Sequence, residues 1–171
     1  IVYTYFHGFI LFFPKWSYEI VEILCLKGFY FLLGLCLYDF HIDTNNLPKI
    51  TPPWIKVEVI SLALPLHQGS EIELDISRFG IVQRWKMQIA ELENPGLVCD
   101  KALKSPFASF VHHHRFKAID ETKSLLCDEL ALRLPFYPLS LIALPFIKLD
   151  IRKMFDYRHR QTKTLLEKNH V

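Results

Sequence analysis

The feature that most constrains this chain is a series of short alternating segments that ends in one long helical pattern. Between Trp54 and Leu134 apolar and polar residues alternate repeatedly, and short turn-rich stretches separate the alternating segments. Alternation with a period of two predicts strands with one wetter face, and short connections between consecutive strands favour an antiparallel meander. Beyond Leu139 the apolar residues recur at helical spacing from Ile147 to Leu165, which predicts one amphipathic helix.

Turn residues set the boundaries of the predicted strands. We expect strands at about residues 55–60, 71–76, 81–92, 97–103, 108–119 and 124–134, with turns at 77–80, 94–96 and 120–123. Pro145 should kink the C-terminal helix or mark its start. These elements predict an α+β helix-grip fold, in which a curved antiparallel sheet wraps around the long C-terminal helix. Because one helix cannot fill the concave face of such a sheet, we expect an internal hydrophobic cavity.

The composition allows such a cavity and argues against a nucleic-acid partner. Hydrophobic residues make up 51% of the 171 residues and aromatic residues 14%, a surplus that can line a cavity, face a membrane or cover a partner. The net charge of +2 comes from interleaved basic and acidic residues, so no nucleic-acid partner is predicted. The densest basic cluster is interpreted as the solvated face of the helix, with a phosphate or lipid-headgroup patch as the alternative. It contains Arg152, Lys153, Arg158, His159, Arg160 and Lys163.

The cysteines indicate the compartment. Four cysteines occur without CxxC spacing and within apolar runs, where a free cysteine behaves as a small hydrophobic residue. This pattern favours a reducing compartment, and we therefore expect a cytoplasmic protein.

The first 36 residues form an apolar segment that we separate from a domain over residues 37–168. Ile1 to Leu11 is interpreted as the first strand, followed by an insertion or a sequence artefact at residues 15–36. The block from Ile20 to Phe40 is long enough to raise the question of a membrane span. Lys27 near its centre opposes insertion by about 2.5–3.5 kcal/mol, so buried strand and helix are favoured. Peripheral membrane contact through this block remains open.

An ordered set of motifs resembles a known family of ligand-binding domains. The motifs are NLPKITPPW (46–54), QRW (83–85), SFVHHHRF (109–116), Asp128, LP (134–135) and MFDYRH (154–159). Together they resemble the SRPBCC group, which is related to START lipid-transfer domains, the major birch pollen allergen, coenzyme Q-binding proteins and aromatic polyketide cyclases. The resemblance covers residues 38–166, and it implies a helix-grip domain that holds a hydrophobic molecule in an internal cavity.

Strand parity selects the polar residues that face this cavity. The phenylalanines of the motif at 109–116 indicate the inward face, which Phe110 and Phe116 share with His112 and His114. On the following strand we expect Asp128 to lie opposite His114, a pairing that a slip of one residue would destroy. The residues predicted to bind the ligand are Trp85, Met87, Phe110, His112, His114, Phe116, Leu126, Asp128, Leu130, Ile151 and Phe155.

The candidates for chemistry are His112, His114 and Asp128. A buried Asp–His pair can be a satisfied structural pair, can orient a ligand, or can tune an imidazole for acid–base catalysis. Zinc held by these three residues is a further alternative, but no other metal framework occurs, and we predict neither metal nor cofactor. The chain lacks GxGxxG, P-loop, GxSxG and HExxH motifs, so nucleotide binding and the commoner hydrolase mechanisms have no support.

The leading hypothesis is a carrier that binds a lipid, a quinone or a polyketide-like compound, rather than an enzyme. One alternative is a cyclase or dehydratase that uses the cavity histidines as acid and base. The other is a membrane-associated interaction module that docks to lipid through the block from Ile20 to Phe40. The sequence does not define the oligomeric state.

Overall fold

The computed structural model of the chain describes residues 22–30, 34–136 and 138–167. Within these residues the strands are β1 (Glu22–Tyr30), β2 (Ile55–Leu62), β3 (Glu71–Arg78), β4 (Ile81–Glu93), β5 (Leu97–Lys104), β6 (Ser109–Ala118) and β7 (Ser124–Arg133). The helices are α1 (Gly34–Ile42), α2 (Leu47–Ile50) and α3 (Leu144–Glu167), with short 3-10 turns at Thr44–Asn46 and Leu139–Ile142. The described strands form one antiparallel sheet in the order β1-β7-β6-β5-β4-β3-β2.

The predicted helix-grip fold is confirmed. Strands β2 to β7 follow one another as a meander, and each turn lies at a stretch that the sequence marks. Phe79 and Gly80 form the two-residue turn between β3 and β4, with φ angles of 50° and 78°. Positive φ at both central residues matches the twist of a tight hairpin. Pro145 is the second residue of α3 and therefore marks the helix start, where its missing N–H costs nothing.

The sheet curves because several strands pair irregularly. The register shifts between Val59 and Ser61 in β2, and it shifts twice where β4 pairs with β5. An extra residue in one strand of a pair bends that strand and increases its twist. The concave face that results is covered by α3, which buries Ile151, Phe155 and Thr162.

The first described strand, β1, lies within the apolar block from Ile20 to Phe40 and pairs with β7. The interval from Ile1 to Leu11, predicted as the opening strand, lies outside the described residues. In the block from Ile20 to Phe40, Tyr30 and, from α1, Leu37 and Tyr38 are almost fully buried. The block therefore supplies strand and helix to the core, and no described helix combines the length and apolarity needed to cross a bilayer.

The core divides into a larger and a smaller group of buried side chains. The larger group joins α1 to β2, β3 and β4, and the smaller one joins β1 and β7 to α3 through Leu24, Leu130 and Phe155. The two groups leave a space between the middle of the sheet and α3. That space is the cavity described next.

Candidate functional site

A cavity of about 340 Å³ lies between the concave face of the sheet and helices α1, α2 and α3. Most of its wall is apolar, and strands β2, β3 and β4 contribute Val57, Leu74, Trp85 and Met87 to it. The prediction of an internal hydrophobic cavity is thus confirmed in the described part of the chain. Where β5, β6 and β7 meet α3, the wall becomes polar.

The polar end is built by strand register. In the sheet Asp100 of β5 pairs with His112 of β6, and His114 of β6 pairs with Asp128 of β7. The predicted position of Asp128 opposite His114 is therefore confirmed. Asp128 is 2% exposed and His112 4% exposed, so both polar groups have left water and need partners within the protein.

Asp128 is the centre of this cluster. Its Oδ1 atom accepts a hydrogen bond from Nε2 of His112 at 3.0 Å, and its Oδ2 atom accepts one from Nε2 of His159 at 2.7 Å. Nδ1 of His114 lies 2.7 Å from Oδ1, but its orientation is not that of a hydrogen bond, so this contact is mainly Coulombic. Three imidazoles thus surround one buried carboxylate.

Helix α3 contributes polar groups that the sequence assigned to solvent. His159 reaches Asp128, and Arg158 is partly buried, with its guanidinium 5.2 Å from the ring centre of Phe155. Burial lowers the pKa of Arg158, while Asp128 and Asp100 oppose the shift. For these two residues the interpretation of the basic cluster as a solvated face is wrong, because the helix turns them toward the buried carboxylates. Arg152, Lys153 and Arg160 are exposed, as predicted.

The charges of the cluster follow from these contacts. Burial alone would raise the pKa of Asp128, but His114 and the hydrogen bonds from the histidines hold that pKa well below its usual range. Burial disfavours the charged form of His114, yet Asp128 and Asp100 outweigh it and raise the pKa of His114 to about 9. At neutral pH the ionised carboxylates of Asp128 and Asp100 therefore face the protonated imidazole of His114 and the guanidinium of Arg158.

The protonation of His112 follows from its partner. Burial lowers the pKa of His112, and the charge on His114 lowers it further, so His112 is neutral at neutral pH. Ionised Asp128 can only accept a hydrogen bond, so the proton of His112 sits on Nε2. Nδ1 of His112 consequently carries a lone pair.

A fourth histidine borders the same end of the cavity. The ring centre of His41 lies 6.1 Å from that of His114, and its Nδ1 pairs with the carbonyl oxygen of Leu37 at 2.8 Å. Burial and the positive charge on His114 lower the pKa of His41 to about 4. His41 is therefore neutral at neutral pH.

The structure brings most of the predicted ligand-binding residues to the cavity wall. Those that line it are Trp85, Met87, Phe110, His112, His114, Asp128, Leu130, Ile151 and Phe155. Phe116 and Leu126 do not line it. They pack in the core, where Phe116 meets the ring of Tyr38 at 5.4 Å.

Sequence reasoning missed Asp100, His41, Arg158 and His159. Asp100 sits in a short strand whose pairing register with the next strand was not predicted. The motif at 154–159 did contain Arg158 and His159, and strict helical spacing from Phe155 would have placed His159 on the buried face at i+4. His41 carried no signal beyond its place in an apolar block.

Neither a protein-family model nor a curated protein matches this sequence. Solved structures match it at low identity. One is norcoclaurine synthase of Thalictrum flavum, a point mutant in complex with a transition-state analogue. It superposes with a TM-score of 0.71 at 8% identity, and the alignment covers 91% of this chain and 100% of the synthase chain. The di-domain ARO/CYC protein StfQ from the steffimycin biosynthetic pathway gives 0.70 at 12% identity, with 88% of this chain and 52% of StfQ covered.

A plant protein extends the comparison. Major latex-like protein 151 of Panax ginseng superposes with a TM-score of 0.60 at 15% identity, covering 84% of this chain and 96% of its own. The chain spans about half of the di-domain StfQ and nearly all of the other two proteins. These similarities show that the chain has the SRPBCC, or Bet v 1-like, helix-grip fold.

Proposed function

We propose that this protein binds one compact, mostly apolar molecule in its cavity and orients it through an oxygen-bearing group at the polar end. The observation that supports this proposal is the make-up of the cavity wall, which is mostly apolar but carries the polar groups of Asp100, His114 and Arg158 where β5 and β6 meet α3. Ligand pockets commonly combine an apolar wall with a few placed polar groups. Burial of apolar ligand area supplies affinity at roughly 25 cal/mol per Å² before the costs of binding are subtracted.

Cavity size narrows the ligand class. A volume of about 340 Å³ is near the lower end of the range for small-molecule pockets, roughly 300–1,000 Å³. It favours a fused-ring compound, a quinone headgroup or a cyclised polyketide over a lipid with two acyl chains.

Two donors favour an oxygen acceptor on that ligand. The indole N–H of Trp85, on the cavity wall, and Nε of Arg158 are buried and find no hydrogen-bond partner among the described residues. An unmade hydrogen bond of a buried donor costs about 1–3 kcal/mol. A carbonyl, phenol or phenolate oxygen on the ligand would recover part of that cost.

A cavity-filling substitution tests the proposal. Leu74 lies on the cavity wall, and Glu73, its neighbour on β3, is on the opposite face and carries no part of the cavity. We expect Leu74→Trp to weaken binding of an apolar naphthalene probe by more than tenfold and Glu73→Trp to leave it unchanged, measured by fluorescence titration. Equal binding by both variants, with unchanged melting temperatures, would place the probe outside the cavity and contradict the proposal.

Acid–base catalysis is a second candidate function, and the charge state of two neighbouring histidines favours it. Neutral His112 offers a lone pair on Nδ1, while charged His114 can give up a proton; their ring centres are 3.7 Å apart. Such a pair could remove a proton from the carbon beside a ligand carbonyl and protonate the carbonyl oxygen, forming the enol. The similar structures named above include a synthase and an ARO/CYC protein, which agrees with this chemistry.

Isotope exchange separates the two functions. 2-Tetralone, a bicyclic ketone, would exchange its α-carbon protons in D₂O faster with the protein than in buffer if His112 and His114 act as base and acid. Proton NMR would show the acceleration lost in His114→Gln and kept in His113→Gln, which alters the outer face of the same strand. If the wild-type protein binds the ketone without accelerating the exchange, the acid–base function is contradicted and the carrier function is the one that remains.

We further propose that the protein contacts a lipid surface and that it is located in the cytoplasm. Phe29 and Leu35 are exposed large apolar residues within the block from Ile20 to Phe40, and such residues can insert into a headgroup region. Flotation with anionic vesicles would show weaker binding of Phe29→Ser if this block makes the contact. Equal flotation of the variant and the wild-type protein would exclude Phe29 from it.

A further inference from the structure

Two histidine nitrogens at the polar end face away from Asp128 and toward a second carboxylate. Nδ1 of His112 lies 3.8 Å from Oδ1 of Asp100, and Nε2 of His114 lies 3.4 Å from the same oxygen. The three ligand atoms lie within 4.8 Å of one another. We propose that Asp100, His112 and His114 together bind one divalent ion of a first-row transition metal, with zinc and ferrous iron as the best-matched ions.

The spacing of the three atoms agrees with coordination of a common ion. Zinc bonds to imidazole nitrogen and carboxylate oxygen are about 2.0–2.2 Å, so neighbouring ligand atoms of a tetrahedral site are about 3.3 Å apart. The separations of 3.4 and 3.8 Å require only small side-chain adjustments. Two imidazoles and one carboxylate are the donor set of catalytic zinc sites and of non-haem ferrous sites.

Asp128 supplies the support that such sites need. A histidine that binds a metal nearly always pairs its other ring nitrogen with a carboxylate or carbonyl, which fixes the ring and the tautomer. Here Nε2 of His112 donates to Asp128, and Nδ1 of His114 lies beside the same carboxylate. His159 holds the other oxygen of Asp128 in place. The sequence suggested Asp128 as the third zinc ligand. In the structure Asp128 contacts the ring nitrogens of His112 and His114 that do not bind the metal, and Asp100 lies beside the nitrogens that do.

The site would open onto the cavity. All three side chains line the cavity wall, so a fourth position on the ion would face the bound molecule. A ligand carbonyl or enolate oxygen could occupy that position and be polarised there. Coordination uses the lone pair of His112 and displaces a proton from His114 to solvent, so metal binding and the acid–base role of these histidines exclude one another.

Metal binding at these groups is independent of the ligand proposed above and can be measured on the protein without any ligand. Among the described residues a second group, Cys25, Cys127 and Glu129, also has the spacing of a metal site. All titrations should therefore use a Cys25→Ser background, full-length chain and no polyhistidine tag.

The test is a titration of the chelator-stripped protein with Co²⁺, followed by displacement with Zn²⁺. We expect one equivalent of Co²⁺ to bind per chain and to give absorption bands in the visible range, which one equivalent of Zn²⁺ abolishes. The affinity for Co²⁺ should fall by more than about tenfold in Asp100→Asn and in His114→Gln. His113→Gln is the matched control, because His113 lies between the two ligand histidines on the opposite face of β6. It should bind cobalt like the parent protein.

Two results would overturn the proposal. One is a parent protein that takes up no stoichiometric cobalt or zinc at neutral pH. The other is an unchanged affinity in folded Asp100→Asn, a substitution that keeps the size of the side chain and removes its charge. If His114→Gln does not fold, Asp100→Asn decides the outcome.

Discussion

At the scale of single residues, the site depends on how one carboxylate is shared. Asp128 is buried and contacts His112, His114 and His159. A buried charge is tolerated only when partners replace the water that it has lost. Removing the charge would leave the imidazolium of His114 without its closest counter-ion.

We therefore predict that Asp128→Asn lowers the free energy of unfolding by about 3 kcal/mol, the cost of breaking a buried ion pair. Glu129→Gln is the control, because Glu129 pairs with Arg115 at 3.0 Å on the exposed outer face. A surface pair of this kind contributes about 0–1 kcal/mol. Urea unfolding of the three proteins measures both values, and equal losses in the two variants would contradict the role given to Asp128.

His41 gives a prediction about acid stability. Its pKa is about 4 in the folded protein and about 6.5 in an unfolded chain. Between pH 4 and pH 6.5 His41 binds a proton in the unfolded chain but not in the folded protein. The free energy of unfolding therefore rises as the pH rises through this range. His41→Gln removes this contribution, and we expect its urea midpoint to change less between pH 4.5 and 7 than that of the wild-type protein.

His67→Gln is the control for that series. His67 is exposed in the loop before β3 and does not line the cavity, so its replacement controls for the loss of one histidine side chain. His112, whose pKa is also lowered, still titrates in His41→Gln, so the dependence should be reduced rather than abolished. An identical pH profile for wild-type protein and His41→Gln would refute the assignment.

At the scale of elements, one ion pair connects the tip of the β3–β4 hairpin to helix α3. Arg78, the last residue of β3, makes a two-pronged contact with Asp150 of α3, and both side chains line the cavity. Phe79 and Ile81 beside Arg78 are highly exposed, whereas Arg78 itself also pairs with Ile55 of β2 in the sheet. Because the ion pair joins hairpin and helix at the cavity wall, we expect it to control the passage of molecules between them.

Breaking this pair should speed ligand exchange more than it weakens the fold. We predict that Arg78→Met raises the dissociation rate of a bound naphthalene probe several-fold in a stopped-flow displacement experiment. Arg84→Met is the matched control, because Arg84 pairs with Asp75 on the opposite face of the same hairpin. Equal dissociation rates in the two variants would show that molecules pass elsewhere.

The elements also show which parts of the fold and of the site can be predicted from the sequence. Local alternation and turn chemistry predicted β2 to β7 closely, and Pro145 marked the start of α3, because these signals act within a few residues. The apolar block from Ile20 to Phe40 was predicted to contain buried strand and helix, but the bounds of β1 escaped prediction because the block has no period that separates strand from helix. Asp100 and His159 escaped prediction because their role depends on partners far along the chain, which only the strand register and the packing of α3 bring together.

At the scale of the whole molecule, the fold itself leaves room for a ligand. One helix covers a curved sheet of seven described strands, and the space between them is closed by side chains of three helices rather than filled. The polar groups around Asp128 lie together at one end of that space, and the ion pair of Arg78 with Asp150 lies at the tip of the β3–β4 hairpin. A molecule with an apolar body and one oxygen-bearing end matches this distribution.

Native mass spectrometry of the protein isolated from the cells that produce it tests that claim most directly. We predict a stoichiometric adduct, a compact ring compound with a carbonyl or phenol oxygen, that is absent from Leu74→Trp prepared in parallel and present in Glu73→Trp. An unliganded wild-type protein that also takes up nothing from a panel of quinones, fused-ring polyketides and lipids would contradict a ligand-binding cavity.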